Sequence, residues 1–169
     1  MMRIYEDNKL IEEAIKFLVT SIEKSGKNQK PVILHSIRVA IHLDKLGYAR
    51  DVIIGAILHD LLEDTGVVKE EINSKFGERV VELVEANSFD EDTTGKTEQY
   101  MKLFEKCKKA GKDALVIKAA DILDNSNYYN GNEQLIEKMR YFIEISEDTL
   151  KGEKVWKDLE AQYERVKLP

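Results

Sequence analysis

The chain is poor in residues that cross-link loops or interrupt helices. Its single cysteine, Cys107, leaves no partner for an internal disulfide and suits a reducing compartment. Cys107 stands in the lysine-rich stretch FEKCKKAGK, outside every ligand-type cluster described below, and reads as a bystander rather than a nucleophile. Only two prolines occur, Pro31 and Pro169, so little in the chain breaks a helix by removing a backbone donor. No apolar run approaches the roughly 20 residues of a membrane span. The opening MMRIYEDNKLIEEAIKFLV carries acidic residues where a secretory segment would be apolar, so a cytoplasmic protein is expected. Excess positive charge is missing too. With 26 basic and 32 acidic residues the net charge is −6, which provides no footprint for a nucleic-acid polymer. A small anionic ligand remains open, because a local pocket or a metal can oppose the global sign.

What the chain does have is apolar residues at helical spacing almost everywhere. Over residues 8–24, Leu10, Ile11, Ala14, Ile15, Leu18 and Ile22 share one stripe opposite Glu12, Glu13, Lys16 and Glu23. After the turn SGKNQ, Pro31 suits a first helical turn, and Gly47 suits the left-handed close of the helix PVILHSIRVAIHLDKLG. Asp51 is a candidate N-cap for a third helix running to Glu63 or Asp64, where TG breaks it. Shorter helices are expected over VVKEEINSKFG and ERVVELVEANS, followed by an acidic, glycine-bearing loop, FDEDTTGKT. Further helices are expected at 97–110, 113–126 and 133–150, with a last one through Trp156 and Tyr163. No strand alternation persists. At 169 residues the expectation is one all-α helical bundle.

The third helix poses the chemical question. Val52, Ile53, Ile54, Ala56, Ile57, Leu58, Leu61 and Leu62 cover its whole circumference, as in a helix enclosed by others. Yet His59, Asp60, Glu63 and Asp64 stand at its end, and a buried carboxylate without a partner is costly. Spacings of three and four residues gather them into one polar patch. His35 interrupts the apolar second helix in the same way, and Asp121 interrupts ALVIKAADIL. Taken singly, His35 reads as a hydrogen-bonded core histidine and Asp121 as a cap or a partner of Lys118. Jointly, two imidazoles and two carboxylates form a mixed N/O set in the bundle core that suits one divalent ion such as manganese, iron, cobalt or zinc. His42 is the only other histidine, and its setting AIHLDKLG reads as a helix end nearing solvent, which argues for one metal rather than two.

The order His35, His59-Asp60, Asp121 resembles the HD-domain phosphohydrolase superfamily. The stretches KPVILHSIRVA, GAILHDLLEDT, FGERVVELVEANS and VIKAADILDN, over roughly residues 26–130, more closely resemble the hydrolase domain of the RelA/SpoT stringent-response enzymes and their small stand-alone relatives. Those enzymes remove the 3′-pyrophosphate of guanosine tetraphosphate with a manganese ion. HDLLED matches the more specific HDxxED motif. The resemblance implies an HD-domain bundle with a metal site in its core, His35, His59, Asp60 and Asp121 as ligands, and Glu63 and Asp64 as catalytic carboxylates with separated pKa values. It further implies that Lys102 lies near the substrate phosphates and that Asn125 faces the substrate. Residues 1–169 form a single domain in this reading, with 131–169 packing on the motif-bearing core.

The departures are local. The loop before His35 is the short EKSGKNQKP, without the family's arginine, and ADILDN stands where the family reads ADRLHN, placing Ile122 and Asp124 at a basic residue and a histidine. These changes bear on guanine recognition and on contacts behind the ligands. Two alternatives therefore accompany the leading expectation: a nucleotidase or phosphodiesterase acting on another small phosphate ester, and a non-enzymatic nucleotide sensor. The carboxylate pair in HDLLED argues against the sensor. The C-terminal aromatics Tyr128, Tyr129, Tyr141, Phe142 and Trp156 are expected to pack one end of the bundle.

Overall fold

The structure is a computed structural model that describes residues 2–26, 31–90, 95–127 and 133–167. Among these residues the chain forms ten helical segments and no strand, as an all-α bundle requires. No helix among them is long and apolar enough to cross a membrane.

Helix α1 (Met2–Ser25) begins earlier than its apolar stripe and buries Ala14, Leu18 and Ile22. Helix α2 (Val32–Lys45) has Pro31 just outside its first turn. Gly47 closes it at φ 79°, while Tyr48 N–H donates to Leu43 O (3.2 Å) and Gly47 N–H to Asp44 O (2.9 Å). These bonds satisfy carbonyls that the helix end would otherwise leave without donors. Helix α3 (Arg50–Leu58) starts one residue before Asp51, with Ala49 at the cap position. Asp51 instead sits in the first turn, where it complements the helix dipole and accepts from Arg50 Nε at 2.9 Å.

The helix expected to continue to Glu63 or Asp64 stops at Leu58, and a separate turn, α4 (Leu61–Asp64), follows. Between them Asp60 relaxes to φ −91°, ψ −3°. Neither glycine nor proline marks this break, so local sequence signals pass over it. Helices α5 (Lys69–Phe76) and α6 (Glu78–Ala86) are joined through Gly77. Helices α7 (Lys96–Ala110) and α8 (Lys112–Ser126) are joined through Gly111, whose φ is 106°. Helices α9 (Glu133–Leu150) and α10 (Lys154–Val166) complete the described chain.

Helix α3 is the axis of the bundle. Every residue from Val52 to Leu58 is buried, and α1, α2, α6 and α8 pack around it. Close packing depends on Gly55, where a Cβ would come within 2.9 Å of Ile117 Cδ1 and 3.2 Å of Leu83 Cβ. Helix α8 is equally enclosed, with Ala114 to Ile122 all buried. Helices α9 and α10 cover its other side. There Phe104 packs edge-on against Phe142 at 5.0 Å between ring centroids, and Trp156 Nε1 donates to Ser146 Oγ at 3.1 Å. Tyr141 stacks on Phe104 as the expected end-packing requires, whereas Tyr128 and Tyr129 lie outside the described residues. The consequence for function is that α2, the α3–α4 junction and α8 converge, because each packs its apolar face on the others.

Candidate metal centre

Three segments deliver the ligand-type residues. His35 comes from α2, His59 and Asp60 from the break after α3, and Asp121 from the middle of α8. His35, His59 and Asp121 each offer one ligand atom, all within 4.8 Å of one another, and all three residues are buried. His35 Nε2 lies 3.1 Å from Asp121 Oδ1 and 4.0 Å from Asp60 Oδ2. His59 Nε2 lies 3.2 Å from Asp60 Oδ1 and 3.6 Å from Asp121 Oδ1. The four residues are thus one cluster. His59 keeps helical backbone angles, φ −58° and ψ −31°, and Asp60 departs from them at φ −91°, ψ −3°.

The tautomers fit a cation. His59 Nδ1 donates to Ala56 O at 2.8 Å, so its Nε2 carries a lone pair when the ring is neutral. That nitrogen is fully buried and makes no hydrogen bond of acceptable geometry, although two carboxylate oxygens lie near it. A lone pair facing carboxylates is repulsive unless a proton or a metal ion sits between them. His35 is arranged similarly, its Nδ1 lying 2.7 Å from Asp124 Oδ2 and its Nε2 facing Asp121. The mixed imidazole and carboxylate donors, together with this orphaned nitrogen, fit a divalent ion.

Protons occupy the same role when metal is absent. Burial by itself would lower the His35 pKa, but hydrogen bonds to Asp121 and Asp124 and the charges of Asp121 and Asp60 outweigh it and raise the value to about 9. Burial also opposes protonation of His59, yet Asp60 and Asp121 raise its pKa above the usual 6.5. Burial would raise the Asp121 pKa, but the buried ammonium of Lys118 and the two imidazoles hold it well below the ordinary carboxylate range. Metal ligation needs neutral imidazole. At pH 7, below the His35 value of about 9, binding is therefore expected to release at least one proton. Affinity should rise by about tenfold per pH unit per displaced proton until that pKa is passed. The folded pKa exceeds the unfolded one, so the protonated His35 stabilises the metal-free protein fully below pH 6.5 and stops doing so as pH rises through about 9. Calorimetric titration with Mn2+ in two buffers of different ionisation enthalpy checks the release, and equal heats would contradict it.

Lys118 and Asn125 support the cluster from behind. Lys118 Nζ lies 2.9 Å from Asp121 Oδ2 and donates to Asn87 O at 3.3 Å, at a residue only 4% exposed. Asn125 Nδ2 donates to Asp121 Oδ1 at 2.6 Å, so the asparagine one turn on is brought to the cluster. Lys102 is not. It pairs with Glu98 at 2.7 Å on the exposed face of α7. His42 points elsewhere as well, its Nε2 lying 3.5 Å from Asp158 of α10.

Glu63 and Asp64 follow in α4, one turn beyond the cluster. Phe89 N–H donates to Glu63 Oε1 at 2.7 Å, tying α4 to the segment after α6. Glu63 lines a groove of about 860 Å³ with Lys69, Phe89 and Lys106. Its side chain is exposed by surface area, yet protein crowds the carboxyl enough that burial, aided by the charge of Asp60, raises its pKa. Both observations suit a group at the rim of a cleft, and the exposure governs how strongly solvent screens its charge. Two further residues stand behind the ligands, and of these the sequence singles out only Asp124, as a departure from the family's pattern. Arg38, one turn after His35, and Asp124, one turn after Asp121, join across 86 residues of chain, and only the packing of α2 on α8 makes them neighbours.

The model of the HD-domain family matches residues 13–143. The chain belongs to the HD-domain family. That membership implies a divalent metal ion, for which His35, His59 and Asp121 supply a site. The HD-domain chain is 49% identical over 63 residues to the guanosine-3′,5′-bis(diphosphate) 3′-pyrophosphohydrolase of Aquifex aeolicus, a match covering 37% of this chain and 9% of that protein. It is 33% identical over 109 residues to a probable enzyme of the same name from Synechocystis, covering 61% of this chain and 14% of that one. The HD-domain chain therefore spans only a small part of these curated relatives. Among solved structures it resembles a metazoan ortholog of SpoT described as hydrolysing ppGpp, with a TM-score of 0.72 and 22% identity over 92% of this chain and 94% of the other. A Listeria monocytogenes protein matches with a TM-score of 0.67 and 20% identity, over 78% and 92% of the two chains. These likenesses establish the shared fold.

Proposed function

We propose that this HD domain is a manganese-dependent phosphohydrolase that removes the 3′-pyrophosphate of guanosine tetraphosphate or a closely related nucleotide. The observation that carries the reading is the buried cluster of His35, His59 and Asp121, with half-buried Asp60 3.2 Å from His59 Nε2 and Glu63 and Asp64 one turn beyond. The names of the relatives support the substrate class. In this reading His35 Nε2, His59 Nε2 and the carboxylates of Asp60 and Asp121 hold one ion. When bound, the ion supplies Lewis acidity toward phosphoryl oxygens and makes water a nucleophile near neutral pH.

The chain's own groups do the rest. With Oε1 held by Phe89 N–H, Glu63 exchanges protons through Oε2, a task favoured by the upward shift that burial gives its pKa. Asp64 shares the work of orienting water or assisting the leaving oxygen. Asn125 bridges from Asp121 toward substrate. Lys102 contributes to phosphate binding by exchanging its exposed partner Glu98, which costs little for a solvent-screened pair. Residues 1–169 act as a single HD unit in the cytoplasm. The partner is a small nucleotide, in keeping with the net charge of −6, which suits no nucleic-acid polymer.

Incubation with Mn2+ and guanosine tetraphosphate, beside a panel of mononucleotides, tests the proposal. Pyrophosphate and guanosine diphosphate are the expected products. Release of orthophosphate alone, from simple monophosphates, would reject the substrate and leave a different phosphoesterase.

A further inference from the structure

The two imidazoles of the centre are backed by different groups. His59 Nδ1 donates to a neutral backbone carbonyl, Ala56 O. His35 Nδ1 instead meets a carboxylate, Asp124 Oδ2, at 2.7 Å. That carboxylate is itself clamped. Arg38 Nε donates to Asp124 Oδ1 at 2.7 Å and Arg38 Nη2 to Asp124 Oδ2 at 2.8 Å, the two-pronged geometry in which guanidinium best fixes a carboxylate. The Asp124 side chain is 12% exposed and that of His35 6%, so water does not easily replace either contact.

We propose that Asp124, held by Arg38, is a positioning residue that fixes the His35 ring and tautomer for metal ligation. The inference rests on the reading of His35 as a ligand. With Nδ1–H committed to Asp124, the lone pair must reside on Nε2, the nitrogen that faces Asp60 and Asp121. A flipped ring would place a C–H against Asp124 and forfeit that bond. A carboxylate behind a ligating imidazole also makes the ring a stronger donor, because it stabilises positive charge developing on the ring. Arg38 keeps the carboxylate charged and aimed, since α2 carries both Arg38 and His35 while Asp124 reaches across from α8. Asp124 thus links the two helices through one ligand. His59, backed only by a carbonyl, serves as an internal reference.

The test compares the wild-type chain with Asp124→Ala, Asp124→Asn and Arg38→Ala. Mn2+ affinity is measured by chelator competition, and the Co2+-loaded proteins are examined by proton NMR for the exchangeable, metal-shifted ring N–H of each histidine. Asp124→Ala is expected to bind Mn2+ about 10–100-fold more weakly, with smaller losses in Asp124→Asn and Arg38→Ala. The His35 N–H signal should disappear by exchange with solvent in Asp124→Ala, while that of His59 persists. Unchanged affinity in all three variants, or simultaneous loss of both N–H signals, would overturn the inference and leave the metal centre standing. Absence of metal binding by the wild-type chain would overturn both. If Asp124→Ala does not fold, the two milder variants decide by the same criteria.

Discussion

Replacing Glu63 by glutamine is expected to cut turnover about 10²–10⁴-fold while the protein keeps its divalent ion. Glutamine preserves the size of the side chain, and its amide oxygen can still accept from Phe89 N–H, so the tie between α4 and the segment after α6 survives. What it loses is the ability to take or give a proton. Glu63 stands at the rim of the groove and outside the set of close donor atoms, so metal content should not fall with activity. Asp60→Ala is the contrasting variant. It removes the oxygen 3.2 Å from His59 Nε2, and both metal and turnover should go. Metal analysis beside steady-state kinetics separates the two outcomes. Full activity in Glu63→Gln would remove it from the chemistry, and retained stoichiometric metal in Asp60→Ala would remove that residue from the ligands.

Asp121→Ala should do more than lose metal. Lys118 is almost wholly buried, and its ammonium is balanced by Asp121 Oδ2 at 2.9 Å. Removing one member of such a pair leaves a buried charge without compensation, a loss of about 3–5 kcal/mol. Asn125 and His35 lose their bonds to the same carboxylate. The metal-free variant is therefore expected to unfold at markedly lower denaturant than the wild type, even though no metal is present to be lost. The double variant Asp121→Ala/Lys118→Met should recover much of that stability without recovering metal, because an apolar side chain then fills the space of the ammonium. Denaturant titrations of the three proteins, all metal-free, measure the effect. Equal midpoints for wild type and Asp121→Ala would show that the pair contributes nothing to the fold.

Much of the architecture is legible in the sequence, and the reason is periodicity. The stripe through Ala14, Leu18 and Ile22, the unbroken apolar circumference of Val52 to Leu58, and the buried run in α8 each specify a helix and its degree of enclosure. Gly47, Gly77 and Gly111 mark helix boundaries, with positive φ at each. The ligand-type residues stood out for a related reason. His35, His59, Asp60 and Asp121 interrupt apolar helices in which an uncompensated polar group is costly, and the structure does bring them together.

Other features had no local signature. The end of α3 at Leu58 is made by neither glycine nor proline. The pairing of Lys102 with Glu98 in solvent is likewise not something its sequence setting displays.

The amino-acid pattern alone thus determined the all-α class, the enclosed helices and the set of polar residues that needed a common partner, because burial and helical period act over a few neighbouring positions. Tertiary packing alone decided which nitrogen of His35 faces its neighbours, the clamp of Arg38 on Asp124, and the union of Lys118 with Asn87. Hydrogen bonds between segments far apart in the chain depend on the distances and angles at which helices meet, and no periodicity encodes those.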